Sequence, residues 1–117
     1  MKGSILRDKS YRFALRIVTL NRYLNDEKRE YVLAKQLLRS GTSIGANVVE
    51  GGRAESRSDF VHKLSISLKE SFETEYWLGL LNYGGYITTE QAESMIVEVK
   101  ELQRILIASI KTAKQNR

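Results

Sequence analysis

A chain of 117 residues and 13.4 kDa has the size of one domain, and 42% hydrophobic with 28% charged residues is a globular composition. No cysteine and a single histidine exclude disulfides, thiolate metal sites, a cysteine nucleophile and any mechanism that needs two imidazoles. The net charge of +5 is unevenly held: residues 1–63 carry 13 basic and 7 acidic residues (+6), and residues 64–117 carry 6 and 7 (−1). Such an excess suits an anionic partner, nucleic acid above all.

There is no proline, which suits long uninterrupted helices, because proline costs roughly 3 kcal/mol in a helix interior. The first segment runs from about Asp8 to Leu24, with Phe13, Ile17, Leu20 and Leu24 at helical spacing and Asp8 placed to cap it. Asn25 and Asp26 are expected to make the turn and to cap the second segment. The second segment starts near Glu27 and carries Leu33, Leu37, Gly41, Ile44 and Val48 on one face. Gly41 reads locally as a helix stop. The apolar phase nevertheless continues through Val48, so Gly41 and Gly45 are expected inside one helix lasting to about Gly51-Gly52, where a neighbouring helix comes close.

The third segment opens at Ser56, which with Asp59 has capping-box spacing, and ends at Gly84-Gly85. Phe60, Leu64, Leu68 and Phe72 form its core stripe. Ile66, Trp77, Leu80 and Leu81 form a second apolar stripe, and a helix with two such faces is expected to meet a second copy of the chain. The fourth segment opens with Thr88 and Gln91 at capping-box spacing and runs to about Lys114, burying Met95, Val99, Leu102, Leu106 and Ala113. No segment alternates with period two, so no sheet is expected. The fold class is all-α, an antiparallel up-down-up-down four-helix bundle in one domain over residues 1–117.

The residues offer no catalytic or metal chemistry. Glu70, Glu73 and Glu75 cluster, but the paired Glu-x-x-His ligands of a di-metal bundle are missing, and the better account is that one or two pair with Arg39 or a tyrosine while the rest are solvated. His62 has Ser58, Asp59 and Ser65 only as neighbours on one helix, without a nucleophile elbow or oxyanion loop. The run Gly41-Thr-Ser-Ile-Gly45 lacks the lysine and the strand of a phosphate loop. No cofactor and no enzymatic activity are expected. No apolar run reaches the roughly 20 residues of a membrane span, and Met1-Lys2-Gly3-Ser4 does not lead into a signal-peptide core, so the expectation is a cytoplasmic protein.

Turned at about 100° per residue, Lys28, Lys35, Arg39 and Arg53 fall within about 40° of one another on the second segment, opposite its apolar stripe. Thr42 and Ala46 keep the surface between them low. Lys9, Arg12 and Arg16 share a side of the first segment, and Arg53 and Arg57 flank the turn into the third. These eight cations are the candidate phosphate contacts.

The stretch Gln36-Leu-Leu-Arg-Ser-Gly-Thr-Ser-Ile-Gly-Ala-Asn-Val-Val-Glu-Gly51 resembles the signature of the four helix bundle protein family. So does Asp59-Phe60 with Leu68-Lys-Glu-Ser-Phe-Glu-Thr-Glu-Tyr-Trp-Leu78. The family is also called the intervening-sequence proteins of large-subunit ribosomal RNA, or ribosomal protein-like, and is related to the accessory protein of diversity-generating retroelements. The resemblance implies an antiparallel bundle in a ring-like homopentamer. It also implies, for the related branch, binding to a reverse transcriptase and to nucleic acid. Arg39, Ser40, Ser43, Asn47, Glu50, Glu70, Glu73 and Glu75 are its motif positions, with polar pairing between the second and third helices as their implied role. Arg39 is thereby set toward a glutamate such as Glu50 or Glu73. The expectation is a non-enzymatic, oligomeric bundle that binds RNA or DNA. The alternative is an adaptor whose oligomer binds a protein partner.

Overall fold

The computed structural model describes residues 2–116, with side chains from Ile5 onward. The lead-in at Met1–Ser4 therefore lies outside the described side chains. Four helices follow one another: α1 (Lys2–Asp26), α2 (Val32–Gly51), α3 (Arg57–Tyr83) and α4 (Thr89–Gln115). Short turns make neighbours antiparallel, and the bundle measures 49 × 21 × 20 Å. It is the expected four-helix architecture, with no strand among the described residues.

The first helix begins earlier than Asp8. Leu6 is buried and extends the inward line of Ser10, Phe13, Ile17 and Leu24 by about one turn, and Asp8 stands exposed inside the helix instead of capping it. The second helix begins later than Glu27. Residues 27–31 form a turn in which Arg29 takes a left-handed φ of 53°, which breaks the helical phase. Glu30 takes the capping role: its Oε1 accepts the Leu33 and Ala34 amides at 2.6 and 3.0 Å, meeting two of the orphan donors at the helix start. Asn21 Nδ2 donates to the Ala34 carbonyl at 3.0 Å and ties α1 to this turn.

From Val32 the helix runs without a break through Gly41 and Gly45 to Gly51, as the apolar phase required. Both glycines are buried where α1 crosses. A Cβ on Gly41 would lie 2.7 Å from Ile17 Cγ1, and one on Gly45 would lie 3.3 Å from the Ser10 carbonyl oxygen. A side chain at either position would push the helices apart.

Ser56 caps α3 by accepting the Asp59 amide at 3.0 Å, and Gly84 ends it. Its buried face differs from the expected stripe. Phe72 is exposed, Phe60 and Leu68 are half-buried, and the inward line is Leu64, Ser67, Ser71, Thr74, Leu78 and Leu81. Three of these are small and polar, so apolar periodicity passes over them. They suit a close α2–α3 contact because every hydroxyl has a partner. Ser67 donates to the Ile44 carbonyl across the helix pair at 2.8 Å, and Ser71 to Leu68 at 2.6 Å. The Thr74 and Ser40 hydroxyls lie 3.0 Å apart, with the Glu70 carbonyl 2.8 Å from Thr74. No buried side-chain polar atom among the described residues lacks a partner, so each buried hydroxyl has a hydrogen bond that offsets its loss of water.

Gly85, at φ 80°, turns the chain into α4. Both halves of the expected capping box form: Thr88 Oγ1 accepts the Gln91 amide at 3.0 Å and Gln91 Oε1 accepts the Thr88 amide at 2.8 Å. Met95, Val99, Leu102 and Leu106 are buried, and Ala113 is half-buried. α1 meets α4 least of the neighbouring pairs. Their seam opens into a groove of about 790 Å³ lined by Leu15, Leu20, Tyr23 and Met95 among others. No helix among the described residues is long and apolar enough to cross a membrane.

Candidate nucleic-acid interface

The eight candidate cations divide into two sets. Three are held by carboxylates. Lys9 meets Glu101 of α4 at 3.2 Å, and Arg16 meets Glu98 while also donating to Ser94 Oγ at 3.1 Å. Arg39 bridges to α3, with Glu70 at 3.2 Å and Glu73 as its second partner. These three cations stay largely exposed, where an ion pair contributes little to stability, but each has a carboxylate beside it that a phosphate would have to displace.

Arg12, Lys28, Lys35, Arg53 and Arg57 have no ion pair among the described residues. They do not form a single stripe on one helix. Lys28 belongs to the 27–31 turn, off the α2 axis, with its ammonium 6.0 Å from the Tyr23 ring centroid. Arg53 lies two residues beyond the end of α2, where its amide closes a turn on the Glu50 carbonyl at 3.0 Å. Arg57 is the first residue of α3.

What the structure does bring together is a groove between α1 and α2, about 550 Å³ in volume. Thr42, Gly45 and Ala46 of α2 and Ala14 of α1 line it with short side chains, as expected for Thr42 and Ala46. Lys35 shares the α2 face of Thr42, Ala46 and Val49 at helical spacing. On the α1 side stand Arg7, Tyr11 and Arg12, with Asp8 as the single carboxylate. Arg7 has no ion pair among the described residues either. Starting the first helix at Asp8 left Arg7 outside it. The signal that would have found it is Leu6, whose place in the apolar line carries the helix back past Arg7.

The motif glutamates pair largely as implied. Glu70 and Glu73 clamp Arg39, and Glu73 also accepts the Trp77 indole N–H at 3.0 Å. Glu50 meets Lys63 of α3 at 3.0 Å, and this hydrogen bond and charge hold the Lys63 ammonium above its ordinary pKa range. Three motif positions depart from the implied role. Ser43 and Asn47 bond carbonyls of their own helix, Arg39 at 2.6 Å and Ser43 at 2.9 Å. Glu75 turns to α4, accepting from Gln103 at 3.0 Å and meeting Lys100 at 3.2 Å.

The Gln103 hydrogen bond, followed by Lys100, holds the Glu75 carboxyl below its ordinary 4.5 against the opposing effect of burial. The folded state thus favours the charged form. The resulting stabilisation is present above pH 4.5 and is lost as pH falls through the depressed folded value. Glu75→Gln is therefore expected to flatten the acid limb of stability below pH 4.5, read as urea midpoints across a pH series. An acid limb as steep as the parent's would remove Glu75 from the pH response.

The expected oligomer stripe is shifted. Leu81 is fully buried in the bundle core and is not available to a second subunit. Ile66 and Trp77 are half-buried, and Trp77 packs edge-on against Tyr76 at 5.1 Å. Leu80 is exposed and belongs to a different row, Phe72, Tyr76, Leu80 and Tyr83, running along the outer face of α3.

The chain matches the 23S rRNA-intervening sequence protein family over residues 3–108. It is similar to a solved structure from Bacteroides thetaiotaomicron, a protein of unknown function from the S23 ribosomal protein family, with a TM-score of 0.93 and 53% identity. That similarity covers 95% of this chain and 99% of the other. Among curated proteins none matches. The chain belongs to the 23S rRNA-intervening sequence protein family.

Proposed function

We propose that this member of the 23S rRNA-intervening sequence protein family is a non-enzymatic, homo-oligomeric bundle that binds RNA or DNA through the α1–α2 cations. The reading rests on the α1–α2 groove, where Arg7 and Arg12 stand against one carboxylate, Asp8, and neither arginine nor Lys35 on the adjoining α2 face makes an ion pair among the described residues. Unpaired guanidinium and ammonium groups beside a groove lined in part by Ala14, Thr42, Gly45 and Ala46 suit a polyanion. Self-association repeats the surface. Each further site then gains from the effective concentration set by the first, so a weak single patch yields useful affinity. A pentamer is the number that the family resemblance implies.

A second reading, an adaptor whose oligomer binds a protein partner such as a reverse transcriptase, draws on the α1–α4 groove lined by Leu15, Leu20, Tyr23 and Met95 among others. Salt separates the two. Phosphate binding releases counterions, so affinity for a generic RNA should fall steeply between about 50 and 200 mM salt. Absence of RNA binding at the low end would transfer the function to the adaptor reading.

A further inference from the structure

We infer that the α1–α2 groove takes a single strand of RNA or DNA, with a base stacked on Tyr11 and the backbone on Arg7 and Arg12. The inference rests on the nucleic-acid reading above and narrows it to a substrate class. Tyr11 is 64% exposed at a groove that Ala14, Thr42, Gly45 and Ala46 line with short side chains beside Val49 and the two arginines, so most of its side chain is accessible to a ligand. Arg7 lies four residues before Tyr11 on the same outer face, about 6 Å along the axis. Arg12 follows Tyr11 directly, and both arginines are exposed. Against these stands one rim carboxylate, Asp8. Lys35, on the α2 face of Thr42, Ala46 and Val49, extends the positive charge along that helix.

This is the composition of a single-strand platform: cations that follow the backbone and an aromatic ring that accepts any base. A duplex keeps its base faces stacked inside and offers Tyr11 only edges and phosphates. A ring left exposed among arginines is therefore useful to a strand whose bases are free. The guanidinium planes of Arg7 and Arg12 add stacking surface as well as charge.

The test uses the whole chain and three labelled probes of about 20 nucleotides, long enough to cover such a site. They are an oligouridylate, the matching oligodeoxythymidylate and a mixed-sequence duplex, each titrated by fluorescence anisotropy. Tighter binding of either single strand than of the duplex is expected, and the tighter of the two identifies the source. Tyr11→Ala should weaken single-strand binding by about tenfold or more, with the salt slope and duplex affinity unchanged. Tyr11→Phe should retain the parent affinity, because stacking needs the ring and not the hydroxyl. Arg7→Gln with Arg12→Gln should make the single-strand salt slope shallower by about 1–2. Equal or tighter duplex binding, or a Tyr11→Ala variant that binds like the parent, overturns this inference and leaves the basic-surface reading standing. So does a Tyr11→Ala variant that sediments lighter than the parent, because Tyr11 then belongs to a subunit contact. Failure of the parent to bind any probe at low salt overturns both.

Discussion

Replacing Gly41 by leucine should lower folding stability by about 3 kcal/mol. The helix itself gains from the change, since glycine is about 1 kcal/mol worse than the best formers in a helix interior. The contact decides otherwise. The first added carbon already lies 2.7 to 3.0 Å from three atoms of Ile17, a fully buried β-branched side chain with little rotamer freedom. Gly45→Leu meets the Ser10 backbone at 3.3 Å, a looser but stiffer neighbour, and should cost about 1–3 kcal/mol. Gly79 is the control: nothing lies within 4 Å of its Cβ position, so Gly79→Ala should stabilise by about 0.5–1 kcal/mol. Urea midpoints at constant m-value measure all three. If Gly41→Leu unfolds at the parent's midpoint, α1 and α2 do not approach as closely as described.

Breaking the aromatic row on α3 should leave a single chain. Phe72, Tyr76 and Tyr83 are 51%, 59% and 94% exposed on the outer face of α3. Aromatic anchors of this kind cost about 2 kcal/mol or more apiece when truncated at an interface, so three together weaken association by orders of magnitude. The triple change Phe72→Ser, Tyr76→Ser, Tyr83→Ser should therefore sediment near 13.4 kDa while the parent sediments as an oligomer. The fold should survive, since exposed positions usually contribute within about ±0.5 kcal/mol each. A parent that already sediments as one chain, or a variant that assembles like the parent, would remove this row from subunit contact.

The parts of the molecule that the sequence made legible are those ruled by apolar period and by caps. The phase from Leu33 to Val48 outweighed two glycines, and Thr88 with Gln91 placed the start of α4. Arg39 went to a glutamate because its motif implied inter-helix pairing, and the geometry adds Glu70 to Glu73. What escaped was ruled by other forces. A left-handed residue at Arg29 detached Lys28 from α2, although nothing in the type arginine announces it. Hydroxyls at Ser67, Ser71 and Thr74 buried a face that hydrophobic spacing assigns elsewhere, exposing Phe72 and burying Leu81. The candidate site suffered most, because a groove joins residues far apart in the chain: Arg7 and Tyr11 meet Thr42 and Ala46 only once α1 lies against α2.

If unpaired cations at the α1–α2 groove meet phosphates, they set the slope of log affinity against log salt for a generic single-stranded RNA. The parent is compared with a variant carrying Arg7→Gln, Arg12→Gln, Lys35→Gln and Arg53→Gln. None of the four makes an ion pair within the described bundle, so stability should hold while the binding surface loses its charge. With about 0.7 of a counterion released per contact on a single strand, the slope should become shallower by about 3. The same slope and the same affinity in parent and variant would contradict the claim and leave these four residues as solvated surface.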